Sequence, residues 1–320
     1  MSDALIHTSS MMGTVVTIEV VGHGHSALER AERAAGVERA IAWFEHVTAA
    51  CSRFEPTSEV ARLSGRIGEA VPVSPLLFEA VQFACRVAEM TDGAFDPTVG
   101  HRMMARAFDT EFRSGRVLRT DTAADDSVSW RDVVLDEKAR TITLRRALVL
   151  DLGAVAKGIA IDMAARELVP FRHFAIDAGG DLYVAGCAGD EKPWRIGIRH
   201  PRDANRLIET LRVSNAAVCT SGDYERRSPA DNDVHHILDP RADTSAAALA
   251  SVTVIAPSAM VADALSTAAF VLGPKRGVAF LESHGVDGFM LSPSLERFDT
   301  AAMSTDQVFE QLLDTSDDER

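Results

Sequence analysis

Five strand-like segments follow one another between residues 174 and 219, with no helical segment among them. Runs of strands that stand between helices, instead of alternating with them, are typical of α+β folds built on antiparallel sheet. The chain has 320 residues, which is long enough to bury a sizeable core, and no segment rich in proline, glycine or serine divides it. We therefore predict an α+β fold with mostly antiparallel sheets, as one domain over residues 1–320.

The spacing of apolar residues places the elements. Apolar residues three and four apart predict helices over residues 26–54, from about 59 to 63, and over 75–90, 155–168, 259–272, 278–284 and 306–313. Strands are predicted over residues 13–21, 132–135, 141–144, 147–150, 174–176, 181–184, 194–198, 207–213, 217–219, 251–255 and 288–291. The polar, aspartate-rich stretch 115–128 is predicted to be a surface loop. A strand precedes a helix both at 147–168 and at 251–272, which hints at two similar halves.

The charge balance limits the partners of the chain. It has 33 Lys and Arg against 47 Asp and Glu, a formal net charge of −14. Such a surface repels phosphate backbones, so nucleic acid is not expected as a partner, although a local nest or a metal can still bind a phosphate. The four cysteines form no C-x-x-C pair and are expected to be small buried hydrophobes. Without a visible signal sequence or an apolar run of about 18 residues, we expect a soluble cytoplasmic protein with no transmembrane segment.

The motif D-L-G-A-V-A-K-G, residues 151–158, lies where a predicted strand runs into a helix. Free N–H groups at a helix start attract anions, and Gly153 lets a ligand approach the backbone. Lys157 adds a positive charge for a phosphate, at a place where a cation opposes the helix dipole and so does not serve helix stability. The alternative is that Asp151 is a helix N-cap and Lys157 is solvated.

Two glycine-containing motifs offer further ligand sites. In D-G-A-F-D-P-T-V-G, residues 92–100, Phe95 could stack on a flat ring and Asp96 could accept hydrogen bonds from ring N–H groups; a plain structural turn is the alternative. In D-A-G-G-D, residues 177–181, the glycine pair permits a tight turn or a close approach of a ligand. No G-x-G-x-x-G fingerprint leads a helix, so a Rossmann fold is not predicted.

The last third of the chain holds polar groups that could converge. T-S-G-D-Y, residues 220–224, precedes H-H-I-L-D-P, residues 235–240, where His236 could be a general base or bind a phosphate. His235 is interpreted as an exposed loop residue. Asp263 and Thr267 share a helix face because they are four residues apart. Such a pair can help to hold Mg²⁺, which prefers one or two carboxylates together with waters and phosphates; the alternative is a pair that satisfies itself.

Together these motifs resemble the FAD:protein FMN transferase (ApbE-like) family. M-G-T at residues 12–14 resembles the family's opening motif, and the segment 52–63 resembles its S-x-[YF]-x-x-x-S-E-[IL]-x-x-[FL] stretch. D-G-A-F-D-P-T, D-L-G-A-V-A-K-G, G-G-D, T-S-G-D-Y, H-I-L-D-P and D-A-L-S-T then follow in the family's order. The resemblance covers about residues 11–292, and eight segments in order make it specific.

The resemblance implies a fold and a site. It implies a groove for FAD in an α+β fold that contains a duplicated module of the T-fold type. The FAD contacts that it implies are Met12, Phe54, Ala94, Phe95, Asp96, Asp151, Lys157 and Ile237. The Mg²⁺ ligands that it implies are Ala154 (through its carbonyl), Asp263 and Thr267, with Ser266 where some relatives carry a second Asp. His236 and Asp263 are the implied catalytic residues, with His236 handling the proton, and Asp223 and Tyr224 are expected to shape the pocket.

The implied reaction is a phosphoryl transfer. Mg²⁺ neutralises the charge that builds on the AMP leaving group, while a Ser or Thr hydroxyl of an acceptor flavoprotein attacks the FMN-side phosphorus of FAD. The implied acceptor carries a Ser/Thr-Gly-Ala-Thr-type motif. Two alternatives remain open, a Mg²⁺-dependent FAD pyrophosphatase that gives FMN and AMP, and a non-catalytic FAD-binding protein.

The sequence departs from the family pattern in three places. Many relatives are exported lipoproteins, whereas no signal or lipobox cysteine is visible here, so the acceptor is expected on the cytoplasmic side. The family's D-P-x-T-G reads D-P-R-A-D at residues 239–243, a change that concerns the shape of the loop after His236. The common Asn-Gly-Gly or Gly-Gly-Asn reads D-A-G-G-D, a milder change.

Overall fold

The computed structural model describes residues 3–22, 26–111, 115, 117–118, 125, 127–189, 192–231 and 233–304. The helices within these ranges are α1 (Ala27–Cys51), α2 (Glu59–Ser64), α3 (Pro75–Met90), α4 (Gly100–Ala105), α5 (Gly153–Leu168), α6 (Ala259–Ser283) and α7 (Ala301–Ser304). The strands are β1 (Asp3–Met11), β2 (Thr14–Gly22), β3 (Val71–Pro72), β4 (Val133–Asp136), β5 (Thr141–Leu144), β6 (Phe174–Ala178), β7 (Asp181–Ala185), β8 (Trp194–His200), β9 (Asp203–Val213), β10 (Ala216–Gly222), β11 (Leu238–Asp239), β12 (Thr244–Ser245), β13 (Ser251–Ala256), β14 (Asp287–Leu291) and β15 (Arg297–Asp299).

An eight-stranded sheet in the order β1-β2-β6-β7-β10-β13-β14-β15 forms the centre of the molecule. Every pairing within it is antiparallel, which confirms the predicted α+β class with antiparallel sheet. Two tight turns set the register on one side of the sheet. Met12 and Gly13 join β1 to β2, and Gly179 and Gly180 join β6 to β7, all four with positive φ.

Helices pack on one face of the sheet and a hairpin packs on the other. Val16, Ile18 and Val20 of β2 point into the core that also contains residues of α1, α3, α5 and α6. The hairpin β8–β9 covers the opposite face through Trp194 and the alternate residues that follow it. Because successive side chains of a strand point to opposite faces, both faces of the sheet are buried, and functional groups gather where strands and helices end.

Helices α5 and α6 cross at close range, and two residues of α5 explain why. A Cβ atom added to Gly158 would lie 2.5 Å from the Cα and N atoms of Met260, so only glycine permits this approach. Asp162 accepts hydrogen bonds from Ser258 Oγ at 2.7 Å and from the backbone N–H groups of Ala259 and Met260 at 2.7 and 3.0 Å. A carboxylate at a helix N-terminus accepts hydrogen bonds from free N–H groups and interacts favourably with the positive end of the helix dipole. Asp162 therefore binds the start of α6 to α5.

Most predicted elements are present, and three differences have physical causes. The predicted strand over 147–150 is wrong, because this buried run makes only one isolated bridge, Val149 with Val99, and no ladder. The helices predicted over 259–272 and 278–284 form the single stretch α6, interrupted at Gly273 with φ 76° and ψ 176°. Strand β1 was not predicted, because its exposed edge carries polar residues.

Two further predictions concern residues for which the structure gives little or nothing. The helix predicted over 306–313 lies outside the described residues, and so does most of the predicted loop 115–128. None of the described helices combines the length and the apolar composition that crossing a bilayer needs.

Candidate active site

A cavity of about 160 Å³ opens at the start of α5. Its walls come from the turn between β1 and β2, the end of α1 with the residues that follow it, and the first turn of α5. Met12, Phe54, Asp151 and Lys157, four of the eight FAD contacts that the sequence predicts, line this cavity. The chain therefore brings half of the predicted set to one place, from segments far apart in sequence.

The other four predicted FAD contacts lie outside the wall of this cavity. Ala94, Phe95 and Ile237 expose only 1%, 7% and 3% of their surface. Their loops are nevertheless close by, because the backbone N–H of Asp151 donates to the carbonyl of Pro97 at 2.7 Å. A role for these side chains in binding a flavin stays a prediction.

Asp96, the fourth of these residues, is tied into its own loop. Its Oδ1 accepts from the N–H and the hydroxyl of Thr98 at 2.9 and 2.7 Å, and its Oδ2 accepts from the N–H of Trp130 at 3.1 Å. Burial raises the pKa of the Asp96 carboxyl, while these hydrogen bonds and the charge of Arg102 oppose that shift. In this structure Asp96 organises the loop, and its hydrogen bonds to a ring N–H remain a prediction.

The carboxylate of Asp151 links the first turn of α5 to the segment that follows α1. Its Oδ1 accepts from the N–H of Gly153 at 2.9 Å, and its Oδ2 pairs with Arg53 Nε at 3.1 Å. The cap position itself is held by Leu152, whose side chain makes no cap hydrogen bond. The Arg53 guanidinium also stacks 4.3 Å above the ring of Phe54. The cavity wall is thus a fixed array that includes the cationic side chains of Arg53, Lys157 and Arg226.

Lys157 is not solvated; it forms ion pairs with two buried carboxylates. Its Nζ contacts Asp181 Oδ2 directly and lies 3.2 Å from Asp263 Oδ2. The side chains of Asp181 and Asp263 are only 6% and 9% exposed, against 21% for Lys157. Lys157 lies on α5, Asp181 on β7 and Asp263 on α6. We call these three residues the acidic cluster. With one cation for two carboxylates, the cluster carries a surplus negative charge in a buried place.

Hydroxyl groups lie next to the acidic cluster. Ser221 Oγ on β10 is 2.8 Å from Ser266 Oγ and 3.0 Å from Thr267 Oγ1, and Ser266 Oγ donates to the carbonyl of Asp263 at 2.9 Å. The predicted Asp263–Thr267 pair therefore does not satisfy itself, because each member has other partners. Ala154, the third predicted metal ligand, is in the first turn of α5, three residues before Lys157.

The donors near Asp263 fit a hard divalent cation. Carboxylate, hydroxyl and carbonyl oxygens are the ligands that Mg²⁺ prefers, and the surplus negative charge favours a cation. The described residues hold no group of three or more His, Cys, Asp or Glu side chains that could bind a metal alone. A site with few protein ligands leaves positions for water and phosphate, as Mg²⁺ sites at phosphates usually do.

The two adjacent histidines differ from each other. His235, predicted to be exposed, is only 6% exposed, and its Nε2 lies 2.9 Å from the carbonyl of Ala246, so that prediction is wrong. His236 is half-buried, with Nδ1 3.4 Å from the carbonyl of Arg226. Desolvation, assisted by the charges of Arg226 and His235, lowers the pKa of His236 to about 3. At neutral pH His236 is therefore an uncharged imidazole beside a residue of the cavity wall.

Asp223 and Tyr224, predicted to shape the pocket, do not line the cavity; they tie the end of β10 to the outer hairpin. Asp223 forms a two-pronged pair with Arg202, with N–O distances of 2.6 and 2.8 Å. Arg199 lies over the ring of Tyr224, whose pKa is raised to about 12, chiefly by burial. The hairpin β8–β9 thus fixes the end of β10 that carries Ser221.

A larger groove of about 610 Å³ lies along the later turns of α5. Asp162, Met163 and Arg166 belong to its wall, whereas none of the predicted site residues does. Size alone is therefore a poor guide here, and the smaller cavity is the candidate active site because the predicted side chains meet there.

Sequence reasoning missed functional groups that only the fold brings in. The glycine pair of the motif D-A-G-G-D predicts a tight turn or a close approach of a ligand. The last residue of the motif, Asp181, also completes the acidic cluster. Arg53 and Arg226 were not predicted to belong to the site, although both line the cavity. A signal was present for Asp181, since a carboxylate directly after a Gly-Gly turn at the start of a strand is held rigidly.

Comparisons with known proteins identify the family of the chain. The model of the ApbE family matches residues 12–290. A FAD:protein FMN transferase of Vibrio cholerae is 30% identical over 277 residues, which are 83% of this chain and 81% of that protein. One of Haemophilus influenzae is 27% identical over 293 residues, 88% of this chain and 84% of that protein.

A solved structure agrees as well. The crystal structure of the ApbE protein from Thermotoga maritima superposes with a TM-score of 0.80 at 29% identity, over 94% of this chain and 98% of that one. Sequence and fold point the same way, and the chain belongs to the ApbE family.

Proposed function

We propose that the protein is a Mg²⁺-dependent transferase that moves FMN from FAD to a serine or threonine hydroxyl of an acceptor flavoprotein, with release of AMP. The observation that carries the proposal is the acidic cluster of Lys157, Asp181 and Asp263 beside a cavity lined by cationic side chains. The relatives described above bear the name FAD:protein FMN transferase, which supports the substrate pair.

FAD binding in the proposal begins at the first turn of α5. Lys157 faces the diphosphate, and Met12 and Phe54 supply apolar contacts. Pockets that enclose a whole ligand of this kind measure about 300–1,000 Å³. The cavity of about 160 Å³ therefore takes one portion of FAD, and the rest lies along the adjoining surface.

The metal in the proposal is held by the Asp263 carboxylate, the Thr267 hydroxyl and the carbonyl of Ala154. When bound, Mg²⁺ supplies charge neutralisation at the diphosphate and at the leaving group. The protein contributes the position of these oxygens, because Asp162 and Gly158 fix how α6 meets α5.

The transfer exchanges one phosphorus–oxygen bond for another. The acceptor oxygen bonds to the FMN-side phosphorus, the bond from that phosphorus to the bridging oxygen breaks, and AMP leaves with the bridging oxygen. The hydroxyl proton passes to Nε2 of His236 and then to solvent. Nδ1 of His236 faces the carbonyl of Arg226, a hydrogen bond that leaves Nε2 as the acceptor. A bound diphosphate raises the low pKa of His236 and so makes the ring a better base.

The test is incubation of the purified protein with FAD and Mg²⁺, with and without an acceptor peptide of the Ser/Thr-Gly-Ala-Thr type. A fluorescent covalent peptide band that disappears with EDTA, together with AMP release that needs the acceptor, is the expected result. An acceptor whose reactive hydroxyl residue is replaced by alanine is the matched control. AMP release without any acceptor identifies a pyrophosphatase, and tight FAD binding without AMP identifies a binding protein; either result refutes the proposed transfer.

A further inference from the structure

Asp181 stands out in the acidic cluster because the proposed function assigns it no task. Its side chain is 6% exposed, and Lys157 is its one side-chain partner within the described part of the chain. Burying a carboxylate costs several kcal/mol unless a partner compensates it. Because Asp181 is buried despite this cost and lies next to the proposed phosphate-binding lysine, its carboxylate is expected to have a role at that lysine.

The backbone holds Asp181 rigidly. Asp181 is the first residue of β7, directly after the turn at Gly179 and Gly180, whose φ values are 68° and 96°. The N–H of Gly180 donates to Asp177 Oδ1 at 2.8 Å, and a Cβ on Gly179 would overlap the side chain of Thr14. The backbone position of Asp181 is therefore set by the turn and the sheet, and not by α5 or α6.

The two carboxylates that bind Lys157 have different surroundings. Asp263 lies on α6 beside the hydroxyls of Ser266 and Thr267, and it is the carboxylate that the proposed function gives to the metal. A cation that binds Asp263 repels the Lys157 ammonium and weakens its attraction to Asp263. Without a second anchor, Lys157 would either leave the cavity wall or compete with the metal for Asp263.

We propose that Asp181 is a positioning residue that holds Lys157 in the cavity wall, so that the lysine faces the FAD diphosphate while Asp263 serves the metal. The proposal rests on the proposed function for the place of the diphosphate at Lys157 and for the metal at Asp263. It needs no turnover, because it concerns the binding of FAD and of a divalent cation.

A double-mutant cycle on FAD affinity tests this role. In the wild type, Asp181→Ala is expected to weaken FAD binding about 10-fold, measured by quenching of flavin fluorescence. In a Lys157→Met background, the same change is expected to alter FAD affinity less than about 2-fold, because no ammonium remains to be positioned. Equal losses in both backgrounds, or no loss in either, would overturn the proposal, since a merely structural role acts whether or not Lys157 is present.

Asparagine at position 181 tests whether Lys157 needs the negative charge of Asp181 or only an acceptor oxygen at that place. Asp181→Asn keeps an oxygen that accepts from Lys157, so FAD affinity is expected to stay within about 3-fold of the wild type. Losses as large as those of the alanine variant would contradict a positioning role. This variant also covers the case in which Asp181→Ala does not fold. Asp136→Asn, at an exposed position away from the cluster, is the matched control and is expected to change FAD affinity equally little in both backgrounds.

Manganese binding gives a second readout without FAD. Removing a group that orients a metal site typically costs about 10–100-fold in metal affinity, so Asp181→Ala is expected to weaken Mn²⁺ binding, followed by electron paramagnetic resonance, by that range. Unchanged Mn²⁺ affinity would contradict the inferred competition between Lys157 and the metal. The proposed transfer fails separately, if the wild type binds FAD and Mn²⁺ but forms no FMN-acceptor product.

Discussion

Lys157 decides the charge balance of the candidate active site. It is the cation between two carboxylates that are less than a tenth exposed, so removing either carboxylate changes what the lysine does. A buried ion pair contributes little net stability, whereas breaking one leaves an unpaired charge at high cost. Such a cluster is therefore better explained by function than by stability, and single substitutions in it are informative.

Replacing Asp263 with asparagine is expected to abolish metal-dependent turnover and to leave FAD binding nearly unchanged. A metal at the diphosphate contributes several kcal/mol to the transition state, so AMP release is expected to fall at least about 100-fold. Lys157 keeps Asp181 as its partner, so FAD affinity is expected to change only a few-fold. AMP release and fluorescence quenching measure the two effects, with Asp136→Asn on an exposed strand end as the control. Wild-type turnover in Asp263→Asn would remove this carboxylate from the metal site.

His236 is expected to make the free energy of unfolding depend on pH. Its pKa is lowered from 6.5 to about 3 in the folded chain, so the unfolded chain binds a proton between these values when the folded chain does not. Stability is therefore complete above about pH 6.5 and falls as the pH drops towards 3, by roughly 1–3 kcal/mol from this residue.

Urea unfolding at pH 7 and pH 4.5 measures this dependence. His236→Gln is expected to lose less stability between the two pH values than the wild type, because glutamine does not titrate. The pKa of His235 is also lowered by burial, but it acts in both proteins and cancels in the difference. His46→Gln, at an exposed position of α1, is the control; an unchanged slope in His236→Gln would show that the ring titrates normally.

At the level of elements, the site depends on how closely α5 and α6 approach. Lys157 precedes Gly158, the residue that allows the contact with Met260, and Asp263 lies one turn after it on α6. Asp162 then fixes the start of α6 through its hydrogen bonds. Contact and cap together set the 3.2 Å distance between Lys157 Nζ and Asp263 Oδ2.

Adding one methyl group at Gly158 is expected to separate these helices. Because its Cβ would lie 2.5 Å from backbone atoms of Met260, Gly158→Ala is expected to cost about 1–3 kcal/mol in the free energy of unfolding, measured in urea. FAD affinity is expected to fall as well, since Lys157 moves relative to Asp263. Gly65→Ala is the matched control, because that position has φ −86° and nothing within 4 Å of an added Cβ. Equal stabilities of the two variants would refute the tight crossing.

Local patterns predicted single elements well and their interruptions poorly. The helix predicted over 75–90 is α3, since its apolar face, its N-cap at Ser74 and its start at Pro75 all agree. The apolar run at 147–150 resembles a strand in composition because buried segments and strands favour the same residues. Among the described residues it pairs only through the bridge between Val149 and Val99, and so it is not a strand. Strand β1 escaped prediction for the opposite reason, since an exposed edge strand needs no apolar alternation.

At the level of the whole molecule, FAD and Mg²⁺ together are expected to raise thermal stability more than FAD alone. A ligand that binds the folded chain alone stabilises it, by about 2.7 kcal/mol at 100 times its dissociation constant. FAD with Mg²⁺ is therefore expected to raise the melting temperature more than FAD with EDTA. Asp263→Asn is expected to remove that difference, and Asp136→Asn to keep it. A difference that persists in Asp263→Asn would place the metal elsewhere.

The family could be predicted because its motifs are local in the sequence, whereas the arrangement of the candidate site is not local. D-L-G-A-V-A-K-G and D-A-L-S-T each named a residue of the acidic cluster without showing that the two would meet. Asp181 reaches Lys157 only because the sheet places β7 next to α5, and no spacing in the sequence encodes that distance. Cationic side chains such as Arg226 join the cavity for the same reason, through a loop that packs against it.

The ion pair between Lys157 and Asp263 joins side chains 106 residues apart. Contacts across such a span close late during folding, because the entropy of the intervening chain opposes them until the sheet is in place. A nascent chain that has not yet left the ribosome as far as α6 has cavity walls from α1 and α5 but no complete acidic cluster. Synthesis itself thus withholds the proposed chemistry from unfinished molecules, and we expect a product truncated before Asp263 to be inert however well its remaining residues fold.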